Sequence, residues 1–206
     1  MLIEYDNVPR LRRVISGGQT GADQGGLFAA RACGLETGGF APLGFRTLAG
    51  NNAETLRDLF GLEETPQRNY QVRTALNVKS ADATFRLATN FGSPGELCTM
   101  KAINRYDKPF MDVDLKLVHK RGDNEYIQEK VNETFQFLIT HQVQILNIAG
   151  NADRFPADGY GEHFHRTIFF LMKLFQKAKS CDEREELFNK PVDNSGTALS
   201  TVPRNV

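Results

Sequence analysis

The sequence predicts an α/β domain, with a parallel sheet carrying helices on its faces. Three observations support this. Apolar, β-branched runs of strand length alternate along the chain with segments whose apolar residues recur at helical spacing. A glycine-rich turn joins the first such run to the first helical segment. At 206 residues and 40% apolar content, the chain suits one domain with a core to bury.

The first strand is expected over Arg13–Ser16, where Val14 and Ile15 favour extended backbone. It runs into Gly17-Gly18-Gln19-Thr20-Gly21, which opens a helix from about Ala22 to Cys33. Glycines let backbone N–H groups approach a ligand, and the helix start offers its positive end to a phosphate or carboxylate. The turn matches neither GxxxxGK[ST] nor GxGxxG, which argues against a kinase or an ordinary dehydrogenase. A plain strand-to-helix turn would use the same glycines only to close tightly.

From about 38 to 77 Gly, Pro, Asn and Thr interrupt any period, and only Glu54 to Phe60 looks helical. Excursions of this length in compact domains usually form lids or binding walls. Further strands are expected near Ala83–Ala88, Pro109–Val113 and Gln144–Ala149. Between and after them, Leu97, Met100 and Ile103 share one helical face, and Ile127, Val131, Phe135 and Leu138 another. Phe164, Ile168, Leu171, Met172 and Phe175 form the stripe of the last helix, where Phe169 and Phe170 widen the apolar surface and point to a homo-oligomer. The polar segment 189–206, with two prolines and no period, is expected to be a flexible tail after a single domain over 1–188.

Acidic and basic residues number 25 each, so the whole-chain charge favours no nucleic acid polymer. No apolar run approaches the roughly 18 residues a membrane span needs, and no signal-peptide layout opens the chain. Cys33, Cys98 and Cys181 are odd in number and form no CxxC pair, which suits a cytoplasmic protein better than a disulfide framework or a zinc site. His163 and His165, two apart on a helix, point to different sides and cannot chelate one ion there, so no metal site is expected. Motif spacing assembles no Ser–His–Asp or Cys–His set, and no nucleophile stands out.

The glycine turn has company. Gly38-Gly39-Phe40-Ala41-Pro42-Leu43-Gly44, Leu62-Glu63-Glu64-Thr65, Tyr70-Gln71-Val72-Arg73-Thr74-Ala75-Leu76-Asn77-Val78, Asp82-Ala83-Thr84 and Leu146-Asn147-Ile148-Ala149-Gly150 follow it in order. Over roughly residues 11 to 175 this set resembles the putative molybdenum carrier family, the circularly permuted YpsA branch of the SLOG superfamily. The resemblance implies a Rossmann-like, doubly wound, mainly parallel sheet flanked by helices, related to the lysine-decarboxylase-like phosphoribohydrolases. It also implies a phosphorylated small molecule as partner, either a nucleotide-like ligand or the molybdenum cofactor. The protein would then carry, sense or sequester that ligand, more as a binding protein than as an enzyme.

Carried onto this chain, the resemblance has Gly17, Gly18, Thr20 and Gly21 wrap a phosphate, with Gln19 in the same turn. A carboxylate beside a phosphate would repel it, so Asp23 is expected to cap the following helix, receive a ribose hydroxyl or recruit a cation. Gly39, Pro42 and Gly44 would shape the neighbouring wall. Arg73 and Thr74 match the family's Arg-Thr pair, and Arg73 either offers a planar fork to an anion or sits in an exposed ion pair. A second glycine turn, with Gly92, Ser93 and Gly95 and with Thr99 one helical turn on, and the last loop at Gly150 would complete the site.

Two departures stand out. Relatives generally carry a threonine where Glu96 stands, and Ser93-Pro94-Gly95-Glu96 reads as a capping box with the glutamate turned back onto its own helix start. The alternative makes Glu96 a catalytic carboxylate of a phosphoribohydrolase-like nucleotide hydrolase, stabilising ribosyl cation charge. After Gly150 the chain reads Asn151-Ala152-Asp153-Arg154, where relatives have proline, arginine and glutamate, while Gly159-Tyr160 keeps the turn into the last helix.

Overall fold

The computed structural model describes residues 11–118, 125–154 and 160–188, with side chains to residue 180. The expected tail over 189–206 and Gly159 lie outside the described residues. Five parallel strands form the central sheet: β1 (Arg13–Ser16), β2 (Glu36–Gly38), β7 (Ala83–Ala88), β8 (Phe110–Asp114) and β9 (Ile145–Gly150). Their order across the sheet is β2-β1-β9-β7-β8. Counted from β9 as the first strand, that order becomes 3-2-1-4-5, so the strand that comes last in the chain fills the central place of a doubly wound fold. The strand order reverses between β9 and β7.

Side chains alternate across each strand, and the two faces of this sheet differ in chemistry. Val14, Phe85, Leu87, Leu146 and Ile148 belong to the main core with α1 (Ala22–Ala32), α4 (Glu125–Thr140) and α5 (Glu162–Phe188). The opposite face carries Thr84, Arg86, Asp112 and Asn147 towards α2 (Tyr70–Ser80) and α3 (Pro94–Tyr106), which pack on each other. Register pairs Thr84 with Asn147 and Arg86 with Asp112. Asn147 Nδ2 donates to Thr84 Oγ1 at 3.1 Å, so buried polar groups on this face satisfy one another.

The polar face explains a difference from the expected α3 stripe. Leu97 is half exposed, while Glu96, Thr99, Ala102 and Ile103 are the buried positions. The stripes expected for α4 and α5 hold, with Ile127, Val131, Phe135, Leu138, Phe164, Leu171 and Phe175 all buried. Phe170 is also in the core and Phe169 packs against it, so the aromatic surface expected to meet a second subunit is largely spent within this one.

The excursion is ordered. It holds a parallel pair of β3 (Phe40–Ala41) with β6 (Glu63–Glu64), an antiparallel pair of β4 (Arg46–Thr47) with β5 (Gly50–Asn51), and a π-helical segment over Glu54–Leu59. Ala41, Phe45, Leu56, Phe60 and Leu62 form a satellite core against Leu27 of α1. Phe28 meets Phe60 edge-on at 4.9 Å and Phe164 at 5.3 Å, tying the excursion to α5. The end of the expected excursion is helix: α2 starts at Tyr70, with the Asn69 side chain accepting the Gln71 N–H at 2.8 Å. Its buried positions, Thr74, Asn77 and Val78, are mostly polar, which hides the helix from an apolar-period criterion.

Candidate functional site

A cavity of about 610 Å³ opens at the carboxyl ends of β7 and β9, where the strand order reverses. Four helix starts contribute to its wall: Gln19 and Asp23 at α1, Tyr70 and Gln71 at α2, Ser93 to Glu96 at α3, and His163 at α5. Each brings the positive end of its dipole to the same space. Leu48, at the tip of the β4–β5 hairpin, forms a lip, held by its N–H donating to Gln19 Oε1 at 2.8 Å.

Of the residues singled out from sequence, Gln19, Asp23, Arg73, Thr74, Ser93, Gly95, Glu96, Thr99 and Gly150 line this cavity. Gly17, Gly18, Thr20, Gly21, Gly39, Pro42, Gly44 and Gly92 lie behind it or away from it. The first glycine turn serves packing. A Cβ on Gly17 would lie 1.5 Å from Arg73 Nη1, and one on Gly21 would lie 2.4 Å from the Asn151 carbonyl. Gly18 abuts Leu56 and Leu62, and Thr20 Oγ1 donates to the Asp153 carbonyl at 2.8 Å. Two of the turn's amides are engaged within the chain, Gln19 N–H by Asp23 at 3.2 Å and Thr20 N–H by Gln19 Oε1 at 2.9 Å. Gly39 packs on the backbone of Ser16, Gly44 N–H donates to Glu64, and Gly92 N–H donates to Asn90 at 3.0 Å.

Asp23 and Arg73 meet. Arg73 Nη1 donates to Asp23 Oδ2 at 3.0 Å, in a buried pair rather than an exposed one. Burial raises the Asp23 pKa, against the lowering pull of Arg73 and of the Gln19 amide. The guanidinium also lies 5.8 Å from the Tyr70 ring centroid.

The second glycine turn is half a capping box. Ser93 Oγ accepts the Glu96 N–H at 3.4 Å, with Pro94 at the first helical position. The reciprocal half is absent: Ser93 N–H donates to the Asn90 carbonyl at 3.3 Å, and the Glu96 carboxyl points inward. It lies 3.8 Å from Arg86 Nη1, and its Oε2 is buried with no hydrogen-bond partner. Burial pushes its pKa up to about 7, lowered by Arg86 and raised by Asp23 and Asp112. Arg86 is held elsewhere, its Nε donating to Asp112 Oδ1 at 2.8 Å and its Nη2 to Oδ2, between the rings of Phe91 and Phe110.

Sequence reasoning missed Arg86, Asn151 and His163. An arginine inside the otherwise apolar strand run 83–88 is a signal for the first, since a buried charge needs a partner. Asn151 Oδ1 accepts from Thr89 N–H at 3.0 Å and Asn90 N–H at 2.8 Å, and its Nδ2 donates to the Asn90 carbonyl at 3.1 Å. Asp153 accepts the His163 and Phe164 N–H groups at the start of α5 and the His163 Nδ1–H at 2.8 Å. Nε2 of His163 lies within hydrogen-bond distance of Thr89 Oγ1, at 2.9 Å. Nothing in motif spacing announces these long-range contacts.

Among the described residues no group of three or more His, Cys, Asp or Glu side chains is placed to hold a metal ion. No described helix is long and apolar enough to cross a membrane.

No curated protein matches the chain. The crystal structure of a putative molybdenum carrier protein from Syntrophus aciditrophicus SB is similar at 28% identity and a TM-score of 0.67, covering 81% of this chain and 96% of that one. The model of the circularly permutated YpsA SLOG family matches residues 14–156, an interval that begins within β1 and includes the other four sheet strands through β9. With the sheet order of a doubly wound fold begun at its second strand, and with a match over most of its length, this chain belongs to the circularly permutated YpsA SLOG family.

Proposed function

We propose that this protein binds a phosphorylated nucleotide or a pterin-phosphate cofactor of the molybdenum cofactor type, and carries, senses or sequesters it. The supporting observation is the cavity at the β9–β7 strand reversal, onto which four helix starts converge. Its volume falls in the range of small-molecule sites. Gly95 is exposed at the second position of α3, where an N–H has no intrahelical acceptor, and a Cβ there would meet open space. Ser93 and the exposed Arg154 add donors beside it, and Tyr70 offers a ring for a flat heterocycle to stack on. These donors fit the phosphate and ring of either ligand class.

The test is native mass spectrometry of full-length protein purified gently from its own host. A retained phosphorylated small molecule is the expected result, released by competition with nucleoside monophosphate. Bare protein that also ignores nucleoside monophosphates would overturn the reading.

One observation favours a second reading, a phosphoribohydrolase-like hydrolase: the buried Glu96 carboxyl on the cavity wall, whose Oε2 has no hydrogen-bond partner. Release of free base from nucleoside monophosphates, lost in Glu96→Gln, would install it in place of the first. We place the protein in the cytoplasm, as its thiols and lack of a described membrane-crossing helix suit. For a homo-oligomer the remaining support is the half-buried Phe169, and light scattering that finds only a 23.1 kDa species removes it.

A further inference from the structure

Glu96 stands at the third position of α3 on the cavity wall, 1% exposed. A carboxylate at a helix start is stabilised by the amides there, but Ser93 already accepts the Glu96 N–H and the carboxyl points inward. Oε2 has no hydrogen-bond partner, which for a buried polar atom calls for an explanation.

The groups that face it do not supply one. Arg86 of β7 approaches to 3.8 Å but is committed to Asp112 of β8 through two hydrogen bonds. Arg73 of α2 is committed to Asp23 of α1. Two guanidiniums thus serve three carboxyls, and an ionised Glu96 is the unmatched charge, beside a cavity with the donors of an anion site.

Resting on the anion-binding reading above, we infer that the cavity takes up a tetrahedral oxyanion, such as a phosphate monoester, together with one proton held on Glu96. The neutral carboxyl then donates its O–H to a ligand oxygen instead of repelling it. The proton comes from solvent, and the only bond made is the O–H on Glu96. Its pKa of about 7 makes that uptake cheap near neutral pH. The arrangement selects for a ligand whose oxygen accepts at the start of α3 and against one that presents an N–H there.

Sulfate is the probe, because it stays a dianion across the pH range used and brings no titration of its own. Calorimetry on the full chain should show sulfate binding about tenfold more tightly near pH 6 than near pH 8, with proton uptake read from the dependence of the heat on the buffer. Glu96→Gln, which keeps a neutral donor, should bind sulfate equally at both pH values and release no buffer-dependent heat. Equal wild-type affinity without proton uptake would overturn the inference while leaving the anion site standing. Absence of sulfate binding at either pH would overturn both. A pH dependence that survives Glu96→Gln would assign the proton to another group, such as His163 on the same wall, and would also overturn the inference. Should Glu96→Gln fail to fold, His163→Gln decides: uptake that persists supports Glu96, and uptake that vanishes removes it.

Discussion

At the scale of the residue, Glu96 concentrates the tension in this molecule. Its carboxyl is raised to about 7 in the folded chain against an ordinary 4.5, because burial disfavours the charge more than Arg86 favours it. Between those values the native state keeps a proton that the unfolded chain has released, so stability falls as pH rises through that window. Below about pH 4.5 the penalty is absent. The difference in unfolding free energy between Glu96→Gln and wild type should therefore swing in favour of the variant by about 3 kcal/mol on going from acid to pH 8. Urea unfolding across that range checks it, and a flat difference would mean that the carboxyl is solvated after all. Arg73 and Asp23 show the complementary case. Each neutralises the other, and Gly17 is small because the guanidinium lies against it.

At the scale of the element, the cavity is made by loops that hold one another. Asn151 follows β9 and binds the two amides after β7, the Asn90 carbonyl, and Ser93 Oγ at 3.3 Å. One side chain thus fixes the mouth of the strand reversal and the cap of α3. Truncation in Asn151→Ala leaves several partners unpaired and should cost about 2 kcal/mol. Hydrogen exchange at Thr89 and Asn90 should accelerate at least about tenfold while the amides of α4 keep their protection. Uniform acceleration everywhere would show instead that Asn151 supports the whole fold and not this junction. Asp153 does the corresponding task for α5, accepting two of its first amides and fixing the His163 ring.

At the scale of the whole molecule, the two larger of three hydrophobic clusters share one helix. The main core spans the sheet, α1, α4 and α5, and the satellite core gathers the excursion around Leu27. The smaller cluster has fewer buried apolar contacts behind it, so it should open at lower free energy than the sheet. Phe60→Ala, which empties its centre, should speed exchange at Phe45, Leu56 and Leu62 while the β7 and β9 amides exchange as before. Exchange that rises equally in both cores would make the molecule a single cooperative unit. Because Leu48 of the excursion borders the cavity, such opening would also uncover the site from that side.

The α/β class, β1, α1, and the stripes of α4 and α5 were legible in the sequence, because β-branched runs and helical apolar periods report directly which faces avoid water. Part of the cavity wall was legible too, since Arg73, Thr74, Ser93, Gly95 and Gly150 sit in local motifs near element ends. Only the tertiary structure decided the rest. The inward turn of Glu96, the commitment of Arg86 to Asp112, the staple at Asn151 and the packing role of the first glycine turn all depend on residues far apart in the chain or on neighbouring elements. A local pattern fixes which element a residue joins, whereas the partner of a buried charge is set by how the strands are ordered, and here the last strand, β9, lies between β1 and β7.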